Sequence, residues 1–178
     1  MSIPTTFLPL MAFSLFMASA PAADQPIDAI NIVSISENLV TAGQPTPESL
    51  AGLSALGFQA VIYLAPPTVH GAVANEADIV RSQGMEFINI PIQWSEPTED
   101  DFHSFVEAMN RLQGQKVLVH CQANMRASAM TFLYRVIEAG ENPSLAYEAV
   151  QQVWTPEDQW KEFVNAQLQK ANISFEID

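Results

Sequence analysis

The chain has 178 residues, 48% of them hydrophobic, and its 7 lysines and arginines stand against 20 aspartates and glutamates, which gives a net charge of -13. This length and apolar content suffice for one domain that buries its own core without metals or disulfides. The negative field disfavours nucleic acid and anionic membrane surfaces as partners, so any anionic ligand must be held by a local group of donors.

The first 22 residues are typical of an export signal. The apolar run from Phe7 to Ala18 is too short for a stable membrane anchor, and Ala20-Pro21-Ala22 places small residues where a signal peptidase reads them. We predict a signal peptide over residues 1–22 and a single mature domain over residues 23–178, with no stable membrane insertion after cleavage and, in a bacterium, a periplasmic location. A retained membrane anchor is the alternative.

The rest of the chain alternates predicted strands and helices. Short apolar runs indicate strands, while capping residues, prolines and early acids indicate helix starts and glycines indicate helix ends. In chain order we predict a strand at 39–42, a helix at 47–57, a strand at 60–64, a helix at 75–84, a strand at 87–91, a helix at 98–114, a strand at 116–120, and helices at about 126–139, 144–153 and 155–170. This alternation predicts an α/β fold with a central, mostly parallel sheet of four to five strands flanked by helices.

One loop in this pattern contains residues suited to chemistry. Cys121, the only cysteine, follows the strand at 116–120 and precedes a helix that begins near Arg126. Ligands of such sheets bind beyond the carboxyl ends of the strands, where helix N-termini present free N–H groups. These groups and the Arg126 guanidinium would hold an oxyanion such as phosphate or sulfate and would favour a thiolate. An inert cysteine at the end of a core strand is the alternative.

The run from Val119 to Ser128 resembles the signature of protein tyrosine and dual-specificity phosphatases, His-Cys-x5-Arg-Ser/Thr. The segments Ala42–Leu50, Ile90–Pro91 and Pro97–Asp100 are similar to parts of the small bacterial phosphatase-like domain associated with beta-lactamase-type hydrolases. The resemblance implies a cysteine-phosphatase-like fold and hydrolysis of a phosphate monoester, of phosphotyrosine or dual-specificity type, in a phosphorylated protein or a small phosphate ester. It implies no cofactor and no metal.

The resemblance also implies how the loop acts. Cys121 would form a cysteinyl-phosphate intermediate, and Arg126 would neutralise the charge on the phosphoryl oxygens. Trp94 would either line the mouth of the pocket or pack beneath the loop. The residues expected to bind the substrate are Gln122, Ala123, Asn124, Met125 and Arg126.

Three further roles follow from the same resemblance. His120 would orient the loop through a hydrogen bond, or would serve only as a core histidine. Ser128 would stabilise the thiolate that departs when the intermediate is hydrolysed. Glu96 would protonate the leaving oxygen, with Asp100 and Asp101 as alternatives, although these two are also typical first-turn residues of a helix.

The loop departs from the signature in its length. Four residues rather than five separate Cys121 from Arg126, and Ala123 or Asn124 replaces the usual mid-loop glycine. An ungapped alignment puts Ala127 at the arginine position and leaves Arg126 about 100° away around the helix. Some rhodanese-type sulfurtransferases share the shorter spacing. Two alternatives therefore stand beside the phosphatase: a rhodanese-like sulfurtransferase with a cysteine persulfide, and a catalytically weak pseudophosphatase that binds an oxyanion.

Overall fold

A computed structural model describes residues 27–177 of the chain, which fold around one five-stranded sheet. The strands follow the order β1-β2-β5-β3-β4 across the sheet. Strand β1 pairs antiparallel with β2, and the other neighbours pair parallel. The predicted mostly parallel α/β sheet is therefore confirmed. The strands are β1 Val33–Ser36, β2 Leu39–Ala42, β3 Ala60–Tyr63, β4 Glu86–Asn89 and β5 Val117–His120.

Six helices connect and cover the strands in the described part of the chain. Their ends follow ordinary capping chemistry: Thr98 accepts a hydrogen bond from Asp101 N, and the Asp101 side chain accepts one from Thr98 N. Gly57 ends the first helical segment with a φ of 82°, a conformation that glycine adopts without strain. The helices are α1 Pro47–Gly52, extended by a 3-10 turn at Leu53–Leu56, α2 Glu76–Arg81, α3 Glu99–Arg111, α4 Met125–Ile137, α5 Pro143–Gln151 and α6 Asp158–Lys170.

The sheet separates two apolar cores, because successive side chains of a strand point to opposite faces. In β5, Leu118 packs in the smaller core with α1 and α2, while Val117 and Val119 pack in the larger core with α3 to α6. All four residues of β5 are buried, as are all four of β3. Burial on both faces is why these strands are almost uninterrupted apolar runs in the sequence.

Strand β1 was absent from the sequence prediction. Only Val33 of its four residues is buried, and the pairing with β2 is interrupted by a register shift between Ser34 and Ser36. An edge strand of this kind buries little apolar surface, so its alternation signal is weak.

The predicted signal peptide, residues 1–22, lies outside the described residues. Between residues 27 and 177, none of the helices has the length and apolar character needed to cross a bilayer.

Candidate active site

Cys121 lies at the carboxyl end of β5, the central strand of the sheet. The last residue of that strand, His120, pairs in register with Ala42 of β2 on one side and with Tyr63 of β3 on the other. The Cys121 amide donates to Ala42 O at 3.3 Å, and an isolated bridge joins Gly43 to Ala123. The loop that follows Cys121 is therefore fixed to the chain leaving β2.

The loop turns into α4 at Asn124, which adopts the left-handed conformation with φ 67° and ψ -2°. Glycine adopts this backbone geometry without strain, and asparagine is among the few other residues that tolerate it. Its side chain is buried and donates to Thr41 Oγ1 at 3.1 Å and to the Asn31 carbonyl. Asn124 therefore shapes the loop from beneath, and unlike the other four residues predicted to bind the substrate it does not line the cavity.

A cavity of about 500 Å³ opens in front of this loop. Cys121 lines it although the residue is only 1% exposed, so the cysteine lies deep in the cavity rather than at its rim. A larger cleft of about 960 Å³ runs beside α6, but the only cysteine of the chain is in the smaller cavity, where we place the site. The lining residues are Pro66, Val69, Gln93, Trp94, Ser95, Cys121, Gln122, Ala123, Met125 and Arg126.

Arg126 reaches the same cavity from the first turn of α4. The side chain is 5% exposed, and its Nε donates to Ile92 O at 3.1 Å while the guanidinium carbon lies 5.3 Å from the centre of the Trp94 ring. Within residues 27–177 its two terminal nitrogens have no hydrogen-bond partner. The four-residue spacing therefore still brings the guanidinium and the cysteine to one cavity, with donors available for an anion.

Trp94 both lines the cavity and packs on the protein interior. Its ring lies 5.5 Å from that of Trp154 and 5.4 Å from that of Trp160, and the Trp160 indole donates to Trp94 O at 2.9 Å. Of the two positions that the sequence offered, the structure shows Trp94 at the cavity wall, with its ring packed on Trp154 and Trp160 rather than beneath the loop. Trp94 contacts the Arg126 guanidinium, and it packs on Trp160 of α6. Helix α6 therefore helps to fix the cavity wall beside Arg126.

The structure gives His120 and Ser128 partners other than the loop cysteine. Ser128 Oγ donates to Met125 O at 3.1 Å and accepts from the Trp154 indole at 3.2 Å. His120 is fully buried, and its Nε2 lies 2.5 Å from Glu76 Oε1. Neither residue lines the cavity, so their predicted roles would have to be exerted through the loop backbone.

The three acids expected near the leaving group are not brought to the cavity. Glu96 is exposed and absent from the lining, because the chain turns after Ser95. Asp101 is committed to the capping box of α3, and Asp100 is exposed in the same first turn. The structure thus corrects the expected position of Glu96 and supports the helix-start interpretation of the two aspartates.

Sequence reasoning missed Glu76, Gln44 and Tyr63, which lie behind the loop. Glu76 looked like an ordinary first-turn acid of α2, and only the fold shows that it is 5% exposed and in contact with His120. Tyr63 stacks on His120 with ring centres 4.7 Å apart. Burial raises the pKa of Tyr63 to about 12, with further contributions from the charges of Glu76 and Cys121.

The sequence matches a family model over residues 14–169, described as a DSP-PTPase phosphatase fused to NAD+ kinase. Proteins named beta-lactamase hydrolase-like protein, from Xylella fastidiosa, are 31% identical over 113 residues, and one from Agrobacterium fabrum is 31% identical over 109 residues. The Xylella matches cover 61% of this chain but only 26% of those relatives, so the chain spans about a quarter of their length.

Solved structures of similar fold include a DUF442 protein from Shewanella putrefaciens, at 29% identity and a TM-score of 0.73, covering 80% of this chain and 91% of that one. TpbA of P. aeruginosa has the same fold at 17% identity and a TM-score of 0.60, covering 79% of this chain and 84% of that one. A Cys-to-Ser form of TpbA is known in complex with pTyr and aligns with a TM-score of 0.56, at 18% identity over 75% of each chain.

Proposed function

Because this chain belongs to the family of DSP-PTPase phosphatases fused to NAD+ kinase, we propose that it hydrolyses a phosphate monoester with Cys121 as the nucleophile. One observation carries the proposal: a single cavity brings together the only cysteine, the guanidinium of Arg126 and the N-terminus of α4. A nucleophile, a cation and free backbone donors are the groups that phosphoryl transfer through a cysteine requires.

The positive charge that attracts the substrate lies in the cavity itself. The net charge of -13 repels a phosphate dianion, so attraction has to come from within the cavity. The terminal nitrogens of Arg126 and the first N–H groups of α4 are the donors, since neither set has its full complement of partners within residues 27–177. Trp94 and the Ile92 carbonyl hold the guanidinium in place before the substrate arrives, which lowers the entropy cost of binding.

The reaction proceeds in two displacements at phosphorus. The Cys121 thiolate attacks, an S–P bond forms, and the P–O bond to the leaving group breaks with both electrons going to oxygen. Water then attacks the phosphorus of the cysteinyl-phosphate, the S–P bond breaks, and inorganic phosphate and the thiolate are released. Arg126 and the N–H groups stabilise the equatorial oxygens in both steps.

The cavity walls favour an aryl phosphate as substrate. None of the ten lining residues, all of them in the described range 27–177, is an aspartate, glutamate or histidine that could protonate the leaving oxygen. A phenol has a pKa of about 10, so a phenolate departs without a proton far more readily than an alkoxide does. Pro66, Val69 and Trp94 offer apolar contact to an aromatic ring. A phosphotyrosine-like ester, the ligand class of the TpbA complex, fits this surface.

The proposal is tested by steady-state turnover of p-nitrophenyl phosphate. We expect measurable turnover by the wild-type protein, none by Cys121→Ser, and a loss of roughly 100-fold or more in kcat/KM for Arg126→Ala, because one preorganised transition-state donor contributes about that much. Turnover by Cys121→Ser at the wild-type rate would contradict it. A persulfide on Cys121 after thiosulfate treatment, without ester turnover, would support the sulfurtransferase instead, and phosphate binding with neither activity would support the pseudophosphatase.

The substrate class is tested with a series of phosphate esters of differing leaving-group acidity. We expect kcat/KM to fall steeply as the leaving phenol becomes less acidic, and an alkyl phosphate to be hydrolysed at least ~100-fold more slowly, because no acid lines the cavity. Glu96→Gln should leave this dependence unchanged. Equal rates for aryl and alkyl esters, with a selective loss of the alkyl rate in Glu96→Gln, would return the role of general acid to Glu96.

A further inference from the structure

A buried acid and imidazole face each other directly behind the nucleophile. Glu76, the first residue of α2, is 5% exposed, and His120 is fully buried, with Oε1 and Nε2 2.5 Å apart. Neither side chain lines the cavity, so neither touches the substrate. Burial of an unpaired carboxylate costs free energy. Glu76 can therefore stay buried only because it is paired with His120.

Both oxygens of Glu76 have a partner inside the protein. Oε1 contacts His120 Nε2, and Oε2 accepts from Gln44 Nε2 at 2.8 Å. The other ring nitrogen of His120, Nδ1, is buried with no hydrogen-bond partner in the described part of the chain. Glu76 is therefore the group that orients the His120 ring.

Two connections lead from Glu76 to the anion-binding loop. His120 is the residue immediately before Cys121, and Gln44, which donates to Glu76, also donates from its backbone amide to Gln122 O at 3.2 Å. The carboxylate thus contacts His120, at the end of the strand that precedes Cys121, and Gln44, whose backbone is bonded to the loop at Gln122. A substitution at Glu76 would therefore affect contacts at both His120 and Gln122.

Few other charged or titratable groups face this pair. Tyr63 of β3 stacks on the His120 ring at an interplanar angle of 17°, and its hydroxyl donates to Pro66 O at 3.3 Å. The other two groups are Cys121 and Arg126 of α4. Both act on the pKa of Tyr63, which burial and the charge of Glu76 raise to about 12. Glu76, His120, Tyr63, Cys121 and Arg126 therefore form one electrostatically connected group.

We propose that Glu76 is a positioning residue that accepts a hydrogen bond from His120 Nε2 and, through His120 and Gln44, keeps Cys121 reactive as a thiolate. The carboxylate fixes the orientation of the imidazole one residue before the sulfur, in the way that a buried acid orients the histidine of a catalytic triad. The inference rests on the proposed function, in which Cys121 is the nucleophile, but the reactivity of Cys121 is measurable without any phosphate ester.

The test is the rate of iodoacetamide alkylation of Cys121 as a function of pH, followed by intact mass. The only cysteine of the chain gives one signal, so the readout is unambiguous. We expect Glu76→Gln to slow alkylation about tenfold near pH 6.5 and to leave the rate near pH 10 unchanged, because the thiol ionises there without help. Glu48→Gln removes an exposed first-turn acid from α1, another six-residue helix, and should behave as wild type at both pH values.

Several outcomes overturn the proposal. If Glu76→Gln is alkylated near pH 6.5 as fast as wild type or faster, Glu76 does not support the thiolate. If its alkylation is slowed equally at every pH, the role of Glu76 is purely structural. If Glu76→Gln fails to fold, nitrogen NMR of the wild-type histidines decides: a proton on Nε2 of His120 supports the proposal, and a bare Nε2 overturns it. A phosphatase assay that fails while the alkylation shift appears would reject the proposed function alone.

Discussion

Asn124 shows how a single residue replaces the glycine that a tight anion-binding loop usually needs. Its left-handed backbone, with φ 67°, costs most residues energy, and its side chain offsets that cost with buried hydrogen bonds to Thr41 and Asn31. The loop conformation is thereby fixed from inside the protein. The surface of the loop that faces the cavity is left to its other residues, Cys121, Gln122, Ala123, Met125 and Arg126.

Two substitutions at Asn124 separate the backbone contribution from the side-chain contribution. Asn124→Gly loses the hydrogen bonds but keeps an unstrained left-handed conformation, whereas Asn124→Ala loses the bonds and retains the strain. We expect both variants to be less stable than wild type, with Asn124→Ala the worse by about 1 kcal/mol in urea unfolding. Equal unfolding free energies for the two variants would show that the loop does not need the left-handed backbone at this position.

The predicted site residues that the structure brings to the cavity are those that are close along the chain. Cys121 and Arg126 lie in one short loop, so strand-to-helix geometry alone predicts that they meet. Glu76 is 44 residues from His120, and its partner depends on how α2 packs against the sheet end. An acid at a helix start is also favourable for purely local reasons, so the sequence gives no signal that this one is buried.

The segments around β2 and the loop after β5 are packed closely enough to test as one unit. A Cβ added at Gly43 would lie 2.5 Å from Ile30 Cγ1, 3.0 Å from Ile30 O and 3.1 Å from Gln122 O. The Gly43 amide also donates to Ile30 O at 2.8 Å. The chain before β1, the end of β2 and the loop after β5 therefore meet at a residue that has no room for a side chain.

We expect Gly43→Ala to destabilise the protein by about 1–3 kcal/mol, because two backbone carbonyls must move, and to lower kcat/KM by displacing the loop. Gly52→Ala is the matched control, since an added Cβ there meets nothing within 4 Å. Thermal unfolding and turnover of an aryl phosphate measure the two effects. A Gly43→Ala protein as stable and as active as Gly52→Ala would mean that the contact at the loop is not tight.

At the scale of secondary structure, the elements predicted between residues 39 and 170 appear in the fold, with ends shifted by a few residues. The starts of α1 and α3 were readable because Pro47 and Thr98 are local signals. Strand β1 was not readable, because an edge strand with one buried residue is decided by its partner rather than by its own pattern.

For the whole molecule, strand alternation predicted the parallel sheet but not the order of its strands. The central position of β5 depends on long-range pairing with β2 and β3, which no local pattern encodes. That order matters for function, since it places the Cys121 loop between the ends of two neighbouring strands. It also buries His120, which contacts Glu76, behind the loop.

We propose that this domain acts outside the cytoplasm, after removal of residues 1–22. The motivation is the apolar run from Phe7 to Ala18 followed by small residues at 20 and 22. Expression of the full chain in a bacterium should give a periplasmic protein whose N-terminal residue is Ala23, checked by cell fractionation and intact mass. An uncleaved chain in the membrane fraction would support a retained anchor instead.

The cysteinyl-phosphate is the intermediate on which the proposed chemistry depends, and acid-quenched mass spectrometry during turnover detects it most directly. With an aryl phosphate as substrate, the peptide that contains Cys121 should carry one phosphoryl group on sulfur in the wild-type protein and none in Cys121→Ser. Such a species accumulates when its formation outpaces attack by water. Turnover that continues with the phosphoryl group on another residue, or undiminished in Cys121→Ser, would contradict the account.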